Sequence, residues 1–112
     1  MDPILKDIKK LLGILDGDKH FDNDLLIHIN TGFFKLHQIG VGPEQMFIVD
    51  ENKVWEDFQE DKLPIVRSYI YLFVKLLFDP PATSFHLTAI NEQMREFEWR
   101  LYVHADRKKT SC

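Results

Sequence analysis

The chain has 112 residues, of which 45% are hydrophobic and 29% are charged, with a formal net charge of −4. This balance is typical of one soluble globular domain and argues against wholesale disorder. The negative charge gives no general support for nucleic-acid binding, no apolar run has the ~20 residues of a membrane span, and the single cysteine, Cys112, excludes an intrachain disulfide.

The first predicted element is a short amphipathic helix that Asp2 and Pro3 introduce, since aspartate caps helices and proline suits the first helical position. Its apolar face comprises Ile4, Leu5, Ile8, Leu11 and Leu12, and its polar face carries Lys6, Lys9 and Lys10. The segment lacks the long apolar core and cleavage site of a signal peptide. We therefore expect an intracellular protein in a reducing compartment.

A second helix is predicted to begin at Asp22 or Asn23, either of which can cap it, and to end at about Gln38. Its predicted buried stripe consists of Leu25, Leu26, Ile29, Phe33 and Leu36. Gly32 lies in the middle of this helix, where glycine lowers helix stability. The residue indicates either a close helix crossing or a glycine that is merely tolerated.

Residues 39–53 break the helical period, and Gly40, Gly42 and Pro43 favour turns. The β-prone run that follows, Met46 to Val49, is either an extended segment that pairs across subunits or a loop over the core. A short helix is predicted from Val54 to Asp61, with Val54, Trp55 and Phe58 facing inward. Six carboxylates and one lysine give residues 50–61 a net charge of −5. Adjacent carboxylates do not share a helix face, so a solvated acidic rim is favoured over a catalytic site.

The last third of the chain predicts a helical hairpin. Leu63 and Pro64 begin a helix that is apolar on most of its circumference, and Pro80 with Pro81 stops it. Thr83 or Ser84 can cap the final helix. Its apolar positions step by three and four residues and form a heptad seam, namely Leu87, Ile90, Met94, Phe97 and Leu101.

Trp99 and Tyr102 lie off this seam. Off-seam aromatic residues indicate either a second contact surface or packing against the N-terminal helix. The sequence therefore leaves two interpretations of this pair open.

These elements predict an all-α fold, a small bundle of four to five helices built on the long C-terminal hairpin, with one irregular loop or short extended segment at about 39–53. We expect one domain over residues 1–106 and a flexible basic tail over residues 107–112. The sequence contains no His-x-x-x-His or Cys-x-x-Cys pair, no nucleophile elbow and no complete calcium or phosphate loop. We therefore expect no enzymatic activity, no metal and no cofactor.

Residues 76–103, LLFDPPATSFHLTAINEQMREFEWRLYV, resemble the closing segment of head–tail connector (adaptor) proteins of long-tailed bacteriophages and prophages. The resemblance is carried by LLFDPP at 76–81, by Ser84 with Phe85, and by EFEWRL at 96–101. Residues 66–72 and the helix at 22–36 fit the same pattern. The resemblance extends over most of residues 1–105 and is most specific in the last third.

This resemblance implies a structural virion protein that forms a homo-oligomeric ring of roughly a dozen copies below the portal. It implies docking on the portal protein, contact with a stopper or tail-completion protein, and passage of genomic DNA without sequence-specific binding. It implies no enzymatic activity, no cofactor and no membrane. The implied location is the head–tail interface of the virion, after assembly from the host bacterial cytoplasm.

Three groups of candidate residues follow from the resemblance and the patterns together. The subunit-interface candidates are Tyr69, Phe73, Trp99 and Tyr102. The portal-docking candidates are Arg107, Lys108 and Lys109. The channel-rim candidates are Glu56, Asp57, Glu60 and Asp61, because like charge discourages DNA from adhering to a channel wall. The alternative function is a small helical protein-interaction module or regulator of antitoxin-like type outside the virion, and a carboxylate hydrolase is a weaker third.

Overall fold

The computed structural model describes residues 3–15, 17–58 and 63–110, with only the backbone described at 107–110. The described part is helical and contains no strand, which confirms the all-α prediction. The elements are α1 (Ile4–Leu12), α2 (Asp22–Gln38), a 3₁₀ turn (Trp55–Phe58), α3 (Leu63–Phe78) and α4 (Ser84–Thr110). A single antiparallel bridge between Pro3 and Val54 ties the start of α1 to the 3₁₀ turn.

The central element is α3, which packs on both α2 and α4 and also contacts α1 and the 3₁₀ turn. Its fully buried residues are Val66, Tyr69, Ile70 and Val74. A helix with neighbours on several sides must be apolar around most of its circumference, as the sequence predicts for this segment. The remaining helices are arranged around α3 in a flat body with principal extents of 46 × 35 × 20 Å.

Gly32 marks the place where α2 crosses α3. A methyl group added at this glycine would lie 2.9 Å from Ile70 Cδ1 and 3.3 Å from Phe73 Cδ1. The absence of a side chain therefore lets the two helices approach closely. Of the two interpretations of this glycine, the close crossing is confirmed.

An aromatic cluster lies under the segment that joins α2 to α3. Phe33 of α2 contacts Phe47 and Phe58, with ring centroids 5.0 and 4.9 Å away, and the last two rings are 5.1 Å apart. Gly42 has φ +94°, and a side chain there would meet the Phe58 ring at 2.5 Å. Glycine is thus required both by the backbone conformation and by the ring that covers it.

Asn30 fixes the run 46–49 over this cluster. The side-chain amide of Asn30 donates to the Val49 carbonyl oxygen at 3.0 Å, and its carbonyl accepts from the Val49 N–H at 2.7 Å. Phe47 and Val49 are buried, while Ile48 points to solvent. Of the two predicted interpretations, the structure shows the loop over the core, because the backbone groups of Val49 are satisfied within the subunit.

Several helix ends differ from the sequence prediction. Asp2 lies outside the described residues, and Pro3 occupies the cap position of α1 without a side-chain hydrogen bond. Phe21, rather than Asp22 or Asn23, precedes α2 as its cap residue, so Asp22 is the first helical residue. The prediction for α4 is confirmed, because Thr83 Oγ1 accepts from the His86 N–H at 3.2 Å.

The prediction that Lys9 lies on the solvent-facing polar side of α1 is wrong. Lys9 is buried, its ammonium donates to the Asp18 carbonyl oxygen at 2.6 Å, and it lies 2.9 Å from Asp22 Oδ1. The charge is tolerated inside because a carboxylate and a carbonyl replace its water. This lysine therefore joins α1 to the beginning of α2 instead of facing solvent.

The two halves of α4 differ in burial. Met94 and Leu101 of the predicted seam are buried together with Ala105, and Ile90 and Phe97 are half-buried. Leu87 is exposed, as are all of residues 84–89, because this end of the hairpin extends beyond the bundle. At the other end the backbone of 107–110 continues α4. The flexible basic tail at 107–112 stays a prediction.

Candidate interaction surfaces

One exposed apolar surface is the outer side of α4, formed by Trp99 and Tyr102 and named here the α4 edge. Trp99 is 65% exposed and Tyr102 is 48% exposed. Their rings stack with centroids 6.4 Å apart. Trp99 is two residues from buried Leu101, which places it about 200° around the helix from the core. Of the two predicted interpretations, exposure agrees with a contact surface and not with packing inside the subunit.

Tyr69 anchors α4 from the inside. Its side chain is fully buried, and its hydroxyl donates to Glu98 Oε2 at 2.6 Å. Burial, reinforced by the neighbouring Glu98 carboxylate, raises the pKa of the Tyr69 phenol far above its usual range. Tyr69 is therefore a core residue, and the prediction that it lies at a subunit interface is corrected. Phe73 is half-buried between Gly32 and the Tyr69 ring, so most of its surface is also used within the subunit.

A second exposed apolar surface runs along α2 on the side that faces away from α3. Ile27 is 62% exposed and Phe34 is 48% exposed, with exposed Thr31 between them. Together with Asn23, Leu26 and Asn30 they line an open groove of about 600 Å³, named here the α2 groove.

The α2 groove was not predicted from the sequence. Ile27 and Phe34 are two apolar residues seven positions apart that fall outside the predicted buried stripe. Seven residues are two helical turns, so the pair lies on one face. The same off-stripe signal that identified Trp99 and Tyr102 on α4 would have found them on α2.

A third group of exposed apolar residues lies at the tip of the hairpin. It consists of Leu77 near the end of α3 and Phe85 and Leu87 in the first turn of α4. Phe85 is 78% exposed and contacts only the neighbouring His86 ring among the described aromatic pairs. Exposed apolar residues therefore occur on several separate parts of this small subunit, including Leu15 and Ile48 outside these three groups, which is typical of a protein that is covered by others.

The sequence model of a family described as Phage connector protein matches residues 4–108. The chain belongs to the phage connector protein family. This match confirms the predicted resemblance and makes the protein a structural connector of the virion, a role that is not enzymatic. No curated protein and no solved structure matched the chain.

The acidic segment of the connector is exposed where the structure describes it. Asp50, Glu51, Glu56 and Asp57 all face solvent. Asp50 accepts hydrogen bonds from the backbone N–H groups of Asn52 and Lys53, which hold the pKa of its carboxyl below the usual value. Asp57 accepts from the Val54 N–H at 3.1 Å. Two of these carboxylates therefore shape turns as well as contributing charge.

The other predicted candidates of the connector lie outside what the structure describes. Glu60 and Asp61 fall in the gap at 59–62, and the side chains of Arg107, Lys108 and Lys109 are not described. Within the described residues, no three histidine, cysteine or acidic side chains converge as metal ligands would. No described helix is both long enough and apolar enough to cross a membrane.

Proposed function

We propose that this connector self-associates into a closed ring below the portal and extends the DNA channel towards the stopper and the tail. The observation that carries the proposal is the pair of exposed apolar surfaces on two different helices, found in a chain of the phage connector family. A ring contact is heterologous, so each subunit must offer two different surfaces to its neighbours. The α2 groove and the α4 edge meet that requirement.

Negative-stain images and the native mass of the purified connector, alone and mixed with the portal protein, test this proposal. We expect closed rings of roughly a dozen subunits, formed by the chain itself or on the portal. A stable dimer that never forms larger species and does not bind the portal would contradict the proposal. That result would favour a small interaction module outside the virion.

For portal docking, we propose that the basic end of α4, with Arg107, Lys108 and Lys109, faces the portal. Three clustered cations suit a negatively charged docking surface. Deleting residues 107–112 should abolish binding to the portal while the thermal unfolding midpoint stays unchanged, since the core residues that the structure describes on α4 all lie at or before Ala105. Normal portal binding by the shortened chain would refute this assignment.

For the channel, we propose that Glu56, Asp57, Glu60 and Asp61 line the rim. Glu56 and Asp57 are exposed, and a carboxylate wall repels DNA phosphates at close range. Replacing Glu56 and Glu60 by lysine should slow genome ejection from assembled particles, because DNA would then adhere to the wall. Unchanged ejection would contradict a position in the channel. Glu56→Gln with Glu60→Gln is the control that removes charge without reversing it.

A further inference from the structure

We propose that the ring contact joins the α2 groove of one copy to the α4 edge of the next copy, with the two helices parallel. This inference rests on the proposed self-association and assigns the two surfaces that carry it. Both surfaces face away from α3, so a neighbouring copy can cover them without disturbing the core. The occupant of the α2 groove is therefore a second copy of this chain.

The two surfaces have complementary shapes. The α4 edge projects two stacked rings into solvent, whereas the α2 groove is an open depression with Ile27 and Phe34 exposed beside it. The described residues that line the groove are all uncharged and include the amide of Asn23 and the hydroxyl of Thr31. An indole N–H and a phenol O–H entering an apolar site need such polar partners.

Each surface is flanked by a pair of opposite charges, and the two pairs match in spacing and run in opposite order of sign. Asp24 and Lys35, both exposed, flank the α2 groove and are eleven residues apart, which is about 16 Å along a helix. Arg95 and Asp106, both exposed, flank the α4 edge at the same separation and in the opposite order of sign.

The orientation of the two helices follows from this order. In a parallel arrangement Asp24 faces Arg95 and Lys35 faces Asp106. An antiparallel arrangement would place Asp24 against Asp106 and Lys35 against Arg95, and such like-charge pairs disfavour the contact. The parallel register also brings Thr31 opposite Tyr102.

Complementation between variants tests the contact, because every copy carries both surfaces. Thr31→Arg fills the α2 groove, and Trp99→Ala with Tyr102→Ala removes the α4 edge. Each variant alone should show self-association weakened by about tenfold or more, as loss of an aromatic anchor does. A mixture of the two should form heterodimers and nothing larger. The intact α4 edge of Thr31→Arg binds the intact α2 groove of the other variant, and no further intact surface remains. Native mass spectrometry measures both results.

A charge exchange tests the orientation. Arg95→Asp should weaken association, and the double variant Asp24→Arg with Arg95→Asp should restore it, since the pair is then reversed and not lost. The matched control is Glu44→Arg with Arg95→Asp, which also leaves the net charge unchanged but should not restore association, because exposed Glu44 lies in the segment after α2 and lines neither surface. Equal behaviour of the two double variants would overturn the parallel register. So would stronger association of Arg95→Asp alone, which an antiparallel arrangement would give by placing residue 95 against Lys35.

The outcomes separate this contact from the proposed function. Normal rings from Thr31→Arg, or a mixture that forms no heterodimer, would overturn the proposed contact. Neither result would contradict the proposed ring. Dimers of Thr31→Arg that depend on Trp99 would show a two-fold contact between α4 edges and would overturn the proposed contact too. A wild-type chain that stays monomeric at every concentration, with and without portal protein, would remove the proposed ring and the contact together.

Discussion

The part of the connector from α1 to α3 and its last helix, α4, are held together in different ways. Hydrogen bonds and ion pairs join segments from α1 to α3 that are distant in sequence. Asp7 accepts from Arg67 Nε at 2.6 Å and from Trp55 Nε1 at 2.9 Å, which ties α1 to α3 and the 3₁₀ turn. By contrast, α4 packs chiefly on α3, and its first two turns touch little else.

This difference separates stability from recognition. Buried residues from α1 to α3 satisfy one another, so substitutions of those residues should lower the free energy of unfolding. The inner side of α4 needs only α3, and its outer side is left for another molecule. We therefore expect substitutions on the outer surfaces to affect assembly and to leave the fold intact, and four experiments examine that division.

The largest expected effect comes from two adjacent phenylalanines of α2. Phe33 is fully buried in the aromatic cluster, whereas Phe34 is 48% exposed beside the α2 groove. Phe33→Ala should lower the free energy of unfolding by about 3–5 kcal/mol, because it leaves a cavity. Phe34→Ala should change it by less than about 0.5 kcal/mol. Urea denaturation of both variants measures the contrast, and similar losses would contradict the assigned orientation of α2.

The next effect concerns the ion pair of Asp7. The Arg67 guanidinium, aided by the Trp55 N–H, holds the pKa of the Asp7 carboxyl below its usual value despite partial burial. A lowered folded-state pKa adds stability above the unfolded pKa of about 3.9, and that stability is lost as the pH falls through the folded value. Asp7→Asn should thus lower the free energy of unfolding at pH 7 by roughly 1.5–2 kcal/mol, the lower part of the range for hydrogen bonds to charged groups, because Arg67 is 45% exposed and water screens the pair.

The pH dependence distinguishes this ion pair from a purely structural role of Asp7. The difference between wild type and Asp7→Asn should shrink as the pH is lowered through the acid range, in unfolding curves recorded at several pH values. Glu44→Gln, at an exposed position outside the helices, is the control and should change the free energy of unfolding by less than about 0.5 kcal/mol at pH 7. A difference that stays constant with pH would show that the carboxylate charge contributes nothing.

Local patterns in the sequence predict the helices well. Pro80 with Pro81 fixes the hairpin, and the steps of three and four residues identify Met94 and Leu101 as buried. These features depend on backbone sterics and helical period, which act over a few residues and can be read directly from the chain. Gly32 is compatible in the sequence with a close crossing or with a tolerated glycine, and only its closeness to Ile70 and Phe73 decides for the crossing.

Features that depend on distant partners could not be predicted in this way. Lys9 can be buried because Asp18 and Asp22 lie beside it. Arg67 pairs with Asp7, which lies sixty residues earlier in the chain. Tyr69 was expected at an interface because α3 is apolar nearly all around, and period alone does not say which side meets α4. Leu87 was expected inside because the seam continues past the end of the packed region.

A smaller effect is expected from the bond that fixes α4 to α3. Tyr69→Phe removes the hydroxyl that donates to Glu98 while keeping the ring, so the free energy of unfolding should fall by about 1.5 kcal/mol. Hydrogen exchange should accelerate in α4 more than in α1 or α2, because only the α3–α4 contact is weakened. Tyr71→Phe, two residues along α3, is the matched control. Equal acceleration in all helices would show that α4 unfolds together with the rest.

The smallest effect on stability should come from Trp99, an exposed aromatic residue on the outer side of α4. Trp99→Ala removes the bulkiest side chain type, yet Trp99 is 65% exposed and contacts Tyr102 on the same helix. The free energy of unfolding should change by less than about 0.5 kcal/mol. Leu101→Ala, two residues away and buried, should cost about 2–5 kcal/mol in the same urea measurement.

Side-chain size alone would predict a larger loss of stability for Trp99→Ala than for Leu101→Ala. The exposure of the two residues predicts the opposite order. If Trp99→Ala destabilised the isolated subunit as much as Leu101→Ala, the tryptophan would belong to the core and the α4 edge would not be a contact surface. A subunit that is as stable as wild type but no longer assembles would show that this aromatic pair is retained for a partner. Stability and assembly would then be carried by opposite sides of one helix.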